Sequence, residues 1–227
     1  MDELVPWPDV RAAPSRLGLL RALEEAGSEF AEAIALLRAC GVADGLSYPV
    51  GVIDRLLLQA HRAILHRDLE VVAACTACGV LNALPLGFDD VPEYEPRSAW
   101  CGPGSGLREP TGADLTGLPE DDEAAVAELE RRCRIGPAAE PRDPAALDRA
   151  EQSLSGTVHA ACTECGAPVD QLVDVQRLVT AAVAEAVAEV DVEVHLIASR
   201  YGWELATIES LGDGRRARLA ALAGSEP

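Results

Sequence analysis

At 227 residues, 48% of them apolar, the chain can bury a core without disulfide staples. Its formal net charge of −19 leaves no basic surface to displace counterions from a phosphate backbone, which argues against nucleic acid as a partner. The start, Met1-Asp2-Glu3-Leu4, is acidic where a secretory signal is basic. The longest weakly polar run, Val71 to Gly87, is broken by Asn82, Pro85 and two thiols, so a cytoplasmic protein without a membrane span is expected.

The stretch to about Pro14, with Pro6 and Pro8, reads as irregular. Ser15 is positioned to cap a helix with Leu17, Leu20 and Leu23 on one face, stopped by Gly27. Ser28 opens a second helix that turns Phe30, Ile34 and Leu37 inward and ends at Gly41. Pro49 opens a third, from about Val50 to His66. Its apolar face is Ile53, Leu56, Leu57, Ala60 and Ile64, with Asp54, Arg55 and Arg62 elsewhere on the wheel. Leu69–Ala74 reads as a strand and Gly79–Leu86 as its return.

From Phe88 to Gly112, Gly, Pro and Asp residues predict loop or irregular strand. Thr111 caps a short turn ending near Leu115. Pro119-Glu120-Asp121-Asp122-Glu123 is an acidic helix start, favourable at the positive end of the dipole, and that helix runs to Cys133 or Arg134. A Pro-punctuated linker, Gly136 to Pro144, precedes one more helix to Leu154. A long helix begins near Val173, with Val175, Leu178, Val179, Val183, Val187, Val190, Val194 and Ile197 in one stripe and Glu185, Glu189 and Glu193 on another face. It stops at Tyr201-Gly202, and two short helices follow, Trp203–Leu211 and Arg215–Leu222, with Trp203 and Ile208 packed inward.

The most specific chemistry is a repeat. Leu69-Glu70-Val71-Val72-Ala73-Ala74-Cys75-Thr76-Ala77-Cys78-Gly79 and Gly156-Thr157-Val158-His159-Ala160-Ala161-Cys162-Thr163-Glu164-Cys165-Gly166 are each a strand entering Ala-Ala-Cys-Thr-x-Cys-Gly. Cys75, Cys78, Cys162 and Cys165 supply four thiolates, the ligand set of a tetrahedral structural zinc. Cys78 and Cys162 lie 84 positions apart, which loop-closure entropy tolerates because its cost rises only with the logarithm of length. The alternative is a set of free thiols packed as small hydrophobes.

The implied fold class is α+β and mostly helical, with a split four-cysteine zinc-ribbon-like core. The segments are an N-terminal helical part (1–68), a first knuckle hairpin (69–87), an inserted loop and helical part (88–155), a second hairpin (156–172) and a C-terminal helical part (173–227). Cys40 and Cys133, near helix ends, read as packed thiols, and Cys101 falls in a loop. His159 reads as a strand-face residue, His61 and His66 as unrelated, and His195 as partly buried packing. No metalloprotease, P-loop or nucleophile-elbow motif occurs, and no enzyme is expected. A helix-turn-helix over Val192–Leu222 is opposed by Glu204 and Glu209 and by the acidic chain.

The order of elements resembles T-even phage baseplate (hub-assembly) proteins and their relatives in contractile injection systems. The residues that carry the resemblance are Asp54-Arg55-Leu56-Leu57-Leu58, the knuckle Cys75-Thr76-Ala77-Cys78-Gly79, and Arg108-Glu109-Pro110-Thr111-Gly112-Ala113-Asp114-Leu115. They continue with the knuckle Cys162-Thr163-Glu164-Cys165-Gly166, then His195-Leu196-Ile197-Ala198-Ser199-Arg200-Tyr201-Gly202-Trp203, Ile208-Glu209-Ser210-Leu211 and Arg215-Arg216. Thr76 and Thr163 stand where the family pattern has Pro, and Leu219 or Ala220 where it has Tyr. The resemblance implies a non-enzymatic, zinc-binding baseplate component or assembly factor whose partners are other baseplate, hub or tail subunits. Tyr201, Trp203, Arg215 and Arg216 are then the candidate partner contacts. The competing expectation is an acidic zinc-ribbon adaptor or regulatory interaction module.

Overall fold

The computed structural model describes residues 8, 10, 15–87, 89, 91–102, 104–137 and 145–225. The expected irregular start and most of the linker before Pro144 lie outside these residues, as does the side chain of Cys101. The protein is α+β and about half helical, with small antiparallel sheets. It divides into two units: Met1–Val42, Ala60–Arg67 and Gln176–Pro227 form one, Ala43–Gln59 and Asp68–Val175 the other. No helix among the described residues is long and apolar enough to cross a membrane.

In the first unit, α1 (Arg16–Glu24) and α2 (Glu29–Ala39) begin where serines satisfy free helix-start amides. Ser15 Oγ accepts from Gly18 N–H at 3.1 Å and Ser28 Oγ from Ala31 N–H at 3.2 Å. Gly41, at φ +91°, turns the chain out of α2. The stripe expected from the valine spacing forms along α7 (Val175–Tyr201), with Val179, Val183, Val187, Val190 and Ile197 buried. Gly202 ends it at φ +64°, and α8 (Leu205–Glu209) and α9 (Asp213–Gly224) fold back so that Ile208 and Ala220 pack on Ile197.

Four sequence expectations fail in this unit, two of them for one reason. Glu193 and Arg216, read as surface charges, are buried against each other: Arg216 Nε donates to Glu193 Oε2 at 3.0 Å, and Arg16 Nη1 to Glu193 Oε1 at 2.7 Å. Asp213 closes the group, accepting from Arg216 Nη2 at 2.5 Å and from the Arg16 backbone N–H at 2.9 Å. Arg216 is 1% exposed, so it is a bolt between α1, α7 and α9 rather than a partner contact. His195, expected to pack, is exposed. Trp203, expected inward, is 36% exposed.

The second unit is organised around the first turns of α3 (Val50–Leu65). Ile53, Leu56 and Leu57 are buried as the spacing predicts, but so are Asp54 and Arg55. Asp54 Oδ2 accepts from Ser153 Oγ at 2.7 Å and from Leu154 N–H at 2.8 Å. Arg55 donates to the carbonyls of Gly51, Gln152 and Pro92 at 2.7, 3.1 and 3.0 Å, and its guanidinium lies 5.5 Å from the Tyr94 ring centroid. Glu109 accepts from Gly51 N–H at 2.9 Å, Gln152 N–H at 3.2 Å and Tyr94 Oη–H at 2.6 Å. A Cβ at Gly51 would strike the Gln152 carbonyl, so this close approach requires glycine.

This network also explains why α6 (Ala146–Ala150) is shorter than expected: the amides of Gln152 and Leu154 are bound by side chains. The segment expected as irregular contains β3 (Ser98–Gly102) and β4 (Ser105–Arg108), joined by β5 (Arg134–Ile135) in the order β3-β4-β5. The expected turn at Thr111 is α4 (Gly112–Leu115), and the acidic helix is α5 (Asp122–Cys133), where Asp121 Oδ1 accepts from Ala124 N–H at 2.9 Å. Arg108 donates to both oxygens of Asp114, at 2.7 and 3.0 Å, and Thr111 donates its N–H and hydroxyl at 2.8 and 2.7 Å. The Arg108 guanidinium and the Thr111 donors hold the Asp114 carboxyl well below the usual carboxylate range, against the opposing effect of burial.

Arg216→Ala should cost about 1–3 kcal/mol of stability, because it takes one of two arginine partners from the buried Glu193 and leaves Oε2 without its donor. Arg215→Ala, on the exposed face, should change stability by less than about 0.5 kcal/mol; equal midpoints in urea would refute the assignment. Asp114 has a folded-state pKa below its unfolded value, so its contribution is complete above the ordinary carboxylate range and is lost as pH falls from that range through the depressed folded-state value. Urea unfolding at pH 6 and pH 3 should therefore show a smaller acid loss of stability in Asp114→Asn than in the wild type.

Candidate metal centre

The two cysteine-bearing segments fold as the same object. β1 (Leu69–Ala74) pairs antiparallel with β2 (Leu81–Leu86), from Leu69↔Leu86 to Ala74↔Leu81. β6 (Gly156–Ala161) pairs with β7 (Pro168–Val173), from Gly156↔Val173 to Ala161↔Pro168. Alternation along β1 buries Leu69, Val71 and Ala73 and exposes Glu70, Val72 and Ala74.

The connecting turns, Cys75 to Val80 and Cys162 to Ala167, match bond for bond. Cys75 N–H donates to the Val80 carbonyl and Cys162 N–H to that of Ala167, each at 2.8 Å. Gly79 N–H donates to the Cys75 carbonyl at 2.8 Å and Gly166 N–H to that of Cys162 at 2.9 Å. Gly79 and Gly166 sit at φ +76° and +73°, the left-handed conformation each turn needs after its second cysteine. The glycine in each Cys-Thr-x-Cys-Gly is thus explained by backbone geometry.

β1 runs beside β7. Ala73, Cys75 and Leu84 from one hairpin and Cys162 and Val169 from the other form one small buried cluster, flanked by Val158, Ala160 and Ala167. This brings the four sulfurs of Cys75, Cys78, Cys162 and Cys165 within 4.8 Å of one another. Cys75 and Cys162 are buried, whereas Cys78 and Cys165 are exposed. The contacts across the hairpins are Cys75 Sγ to Cys165 Sγ at 3.7 Å and Cys78 Sγ to Cys162 Sγ at 3.6 Å. Disulfide sulfurs would be about 2.0 Å apart. A tetrahedron built on metal–sulfur bonds of about 2.3 Å has sulfur–sulfur edges of about 3.8 Å. The observed spacing fits the latter, and the residues present could hold a metal ion.

The electrostatics point the same way. Backbone N–H groups of Cys165 and Glu164 donate to Cys162 Sγ and lower its pKa to about 6. The N–H groups of Cys78 and Ala77 likewise lower that of Cys75. At Cys78 the N–H of Val80 favours the thiolate, but the sulfurs of Cys165, Cys162 and Cys75 outweigh it and raise the value to about 12. Amide donors thus favour negative charge at Cys75 and Cys162, while hydrogen bonding to the neighbouring sulfurs keeps the proton on Cys78. A bound dication would remove that conflict.

One polar side chain sits against this centre. Asn82, 2% exposed on the inward face of β2, accepts through Oδ1 from Thr163 N–H at 2.9 Å and from Thr163 Oγ1–H at 3.1 Å. Its Nδ2 donates to the Val80 carbonyl at 3.0 Å. In the sequence Asn82 stands only as a break in an apolar run, which does not mark it as a site residue. The available signal was its alternation phase: it shares the inward face with Leu84.

The remaining expectations divide. His159 lies exposed on the strand face, 2.8 Å from Asp170 Oδ1. Cys40 and Cys133 are buried, and burial raises both thiols to about 11. Tyr201 is 39% exposed, its ring centroid 5.6 Å from that of Trp203, and Arg215 is exposed. A scan against protein-family models and searches of curated proteins and of solved structures return no match.

Purified or reconstituted protein should carry one metal ion per chain, and cobalt(II) should give the visible spectrum of a tetrahedral four-sulfur site. Cys165→Ser should lose that spectrum and become protease-sensitive in the hairpins, since structural zinc contributes roughly 10 kcal/mol or more in small metal domains. Elemental analysis showing no metal in protein refolded with zinc in excess would refute the centre.

Proposed function

We propose that the chain is a non-enzymatic, zinc-binding component or assembly factor of the baseplate of a phage-like contractile tail or injection system. The zinc assignment rests on ligand chemistry: two Cys-x-x-Cys turns offering four thiolates suit a soft, tetrahedral, redox-inert ion. Such an ion clamps two hairpins, which is structural rather than catalytic work.

One observation supports the baseplate reading beyond motif order. Of the residues that carry the resemblance, those in the second unit are ones that hold it together. Asp54 and Arg55 anchor residues 152–154, Arg108 and Thr111 grip Asp114, and the four cysteines converge. Such a pattern marks a shared scaffold better than chance spacing does. The surface suited to subunit contact is the end of α7, where Tyr201, Trp203 and Leu205 are exposed beside the chain reversal at Gly202.

Deletion of the gene should abolish sheath-bearing particles while leaving neighbouring transcripts intact. Mass spectrometry of purified particles then separates a resident component from an assembly factor. Normal particles in the deletion strain would overturn the proposal. If the tagged chain then co-purified with regulators instead of tail subunits, the acidic adaptor reading would replace it.

A further inference from the structure

We propose that Asn82 and Thr163 form a latch that holds the second cysteine turn in its metal-binding position from one side, through hydrogen bonds that do not involve sulfur. The inference deepens the metal reading and rests on it. Four thiolates from segments 84 positions apart must meet with little error, because coordination energy falls quickly as ligands depart from the tetrahedron. Something other than the ion has to align the two turns if the site is to capture metal quickly and release it slowly.

The path is continuous in the structure. Cys75 N–H and Asn82 Nδ2 both donate to the Val80 carbonyl, at 2.8 and 3.0 Å, so Asn82 is fixed to the first turn. Its Oδ1 then crosses to the second turn and accepts two donors from Thr163, the residue immediately after Cys162. Thr163 in turn precedes Glu164 and Cys165, whose backbone N–H groups donate to Cys162 Sγ. Orienting Thr163 therefore orients the peptide groups that donate to the Cys162 sulfur. Asn82 is buried, where lost hydrogen bonds are not replaced by water.

The latch is one-sided. By position in the matching turns, the counterpart of Asn82 is Val169, whose side chain has no polar atom and packs in the cluster between the hairpins. The first turn is thus the fixed template and the second is the part held to it. Thr163 is necessary in a way its local sequence hides: proline there would supply neither the N–H nor the hydroxyl that Asn82 binds.

Asn82 and Thr163 are positioning residues, so the test reads metal handling and not stability alone. Asn82→Leu keeps the γ-branched shape and all four thiolates. It should retain the cobalt spectrum of a four-sulfur site, yet lose zinc to a competing chelator about 10- to 100-fold faster, the usual effect of removing a partner behind a metal ligand. In the metal-loaded variant the Thr163 amide should exchange with solvent faster than in the wild type. Thr163→Val, which keeps the N–H and the branched shape, should give a smaller acceleration, and it should add nothing in the Asn82→Leu background. If Asn82→Leu fails to fold, Thr163→Val carries the test by its own release rate. Wild-type release rates and Thr163 protection in these variants, from a wild type that binds metal, would overturn the latch alone. A wild type that binds no metal would overturn the centre itself.

Discussion

The meeting of the two cysteine hairpins centres on four sulfurs held within 4.8 Å of one another. Two-stranded hairpins are marginal by themselves, and the apolar cluster between these two is small, with two of its five buried members being cysteines. Amide donors favour thiolate at Cys75 and Cys162, and the crowding of sulfur opposes it at Cys78. The arrangement makes physical sense as a ligand set: the same repulsion that destabilises four free thiolates becomes attraction to one shared cation.

Elsewhere the chain uses charge as internal fastening. Its net charge of −19 leads one to expect carboxylates on the outside. Yet Asp54, Glu109 and Glu193 are buried, each accepting hydrogen bonds from backbone or arginine donors. Arg55 satisfies the Pro92 and Gln152 carbonyls, which no helix or sheet reaches, and Arg216 ties Glu193 to Asp213. Arginine suits both tasks because its planar fork offers five donors and stays charged when buried. These contacts hold irregular segments, such as those around Pro92 and Gln152, in place without regular secondary structure.

Legibility in the sequence followed the range of the interaction. Ser15, Ser28, Thr111 and Asp121 mark helix starts because a cap is a contact across three residues. The valine stripe of α7 and the strand Leu69–Ala74 were readable because burial follows the periodicity of the element itself. The burial of Asp54 and Arg55 was not legible because Pro92, Gln152, Ser153 and Leu154, which they bind, lie 37 to 100 positions away. Around β3 and β4, glycine and proline locally predict loop or irregular strand, and only the pairing in the order β3-β4-β5 decides between them.

The same division runs through the candidate centre. Duplicated Cys-Thr-x-Cys-Gly turns announced their own backbone, their glycine conformation and a thiolate ligand set, since each is decided within a few residues. That the two turns share one centre, that Asn82 bridges them, and that Arg216 is sealed against Glu193 were decided only by tertiary packing. A local pattern specifies what a segment can do. Which segment it meets depends on burial and register summed over the whole chain, and no single window of sequence contains that sum.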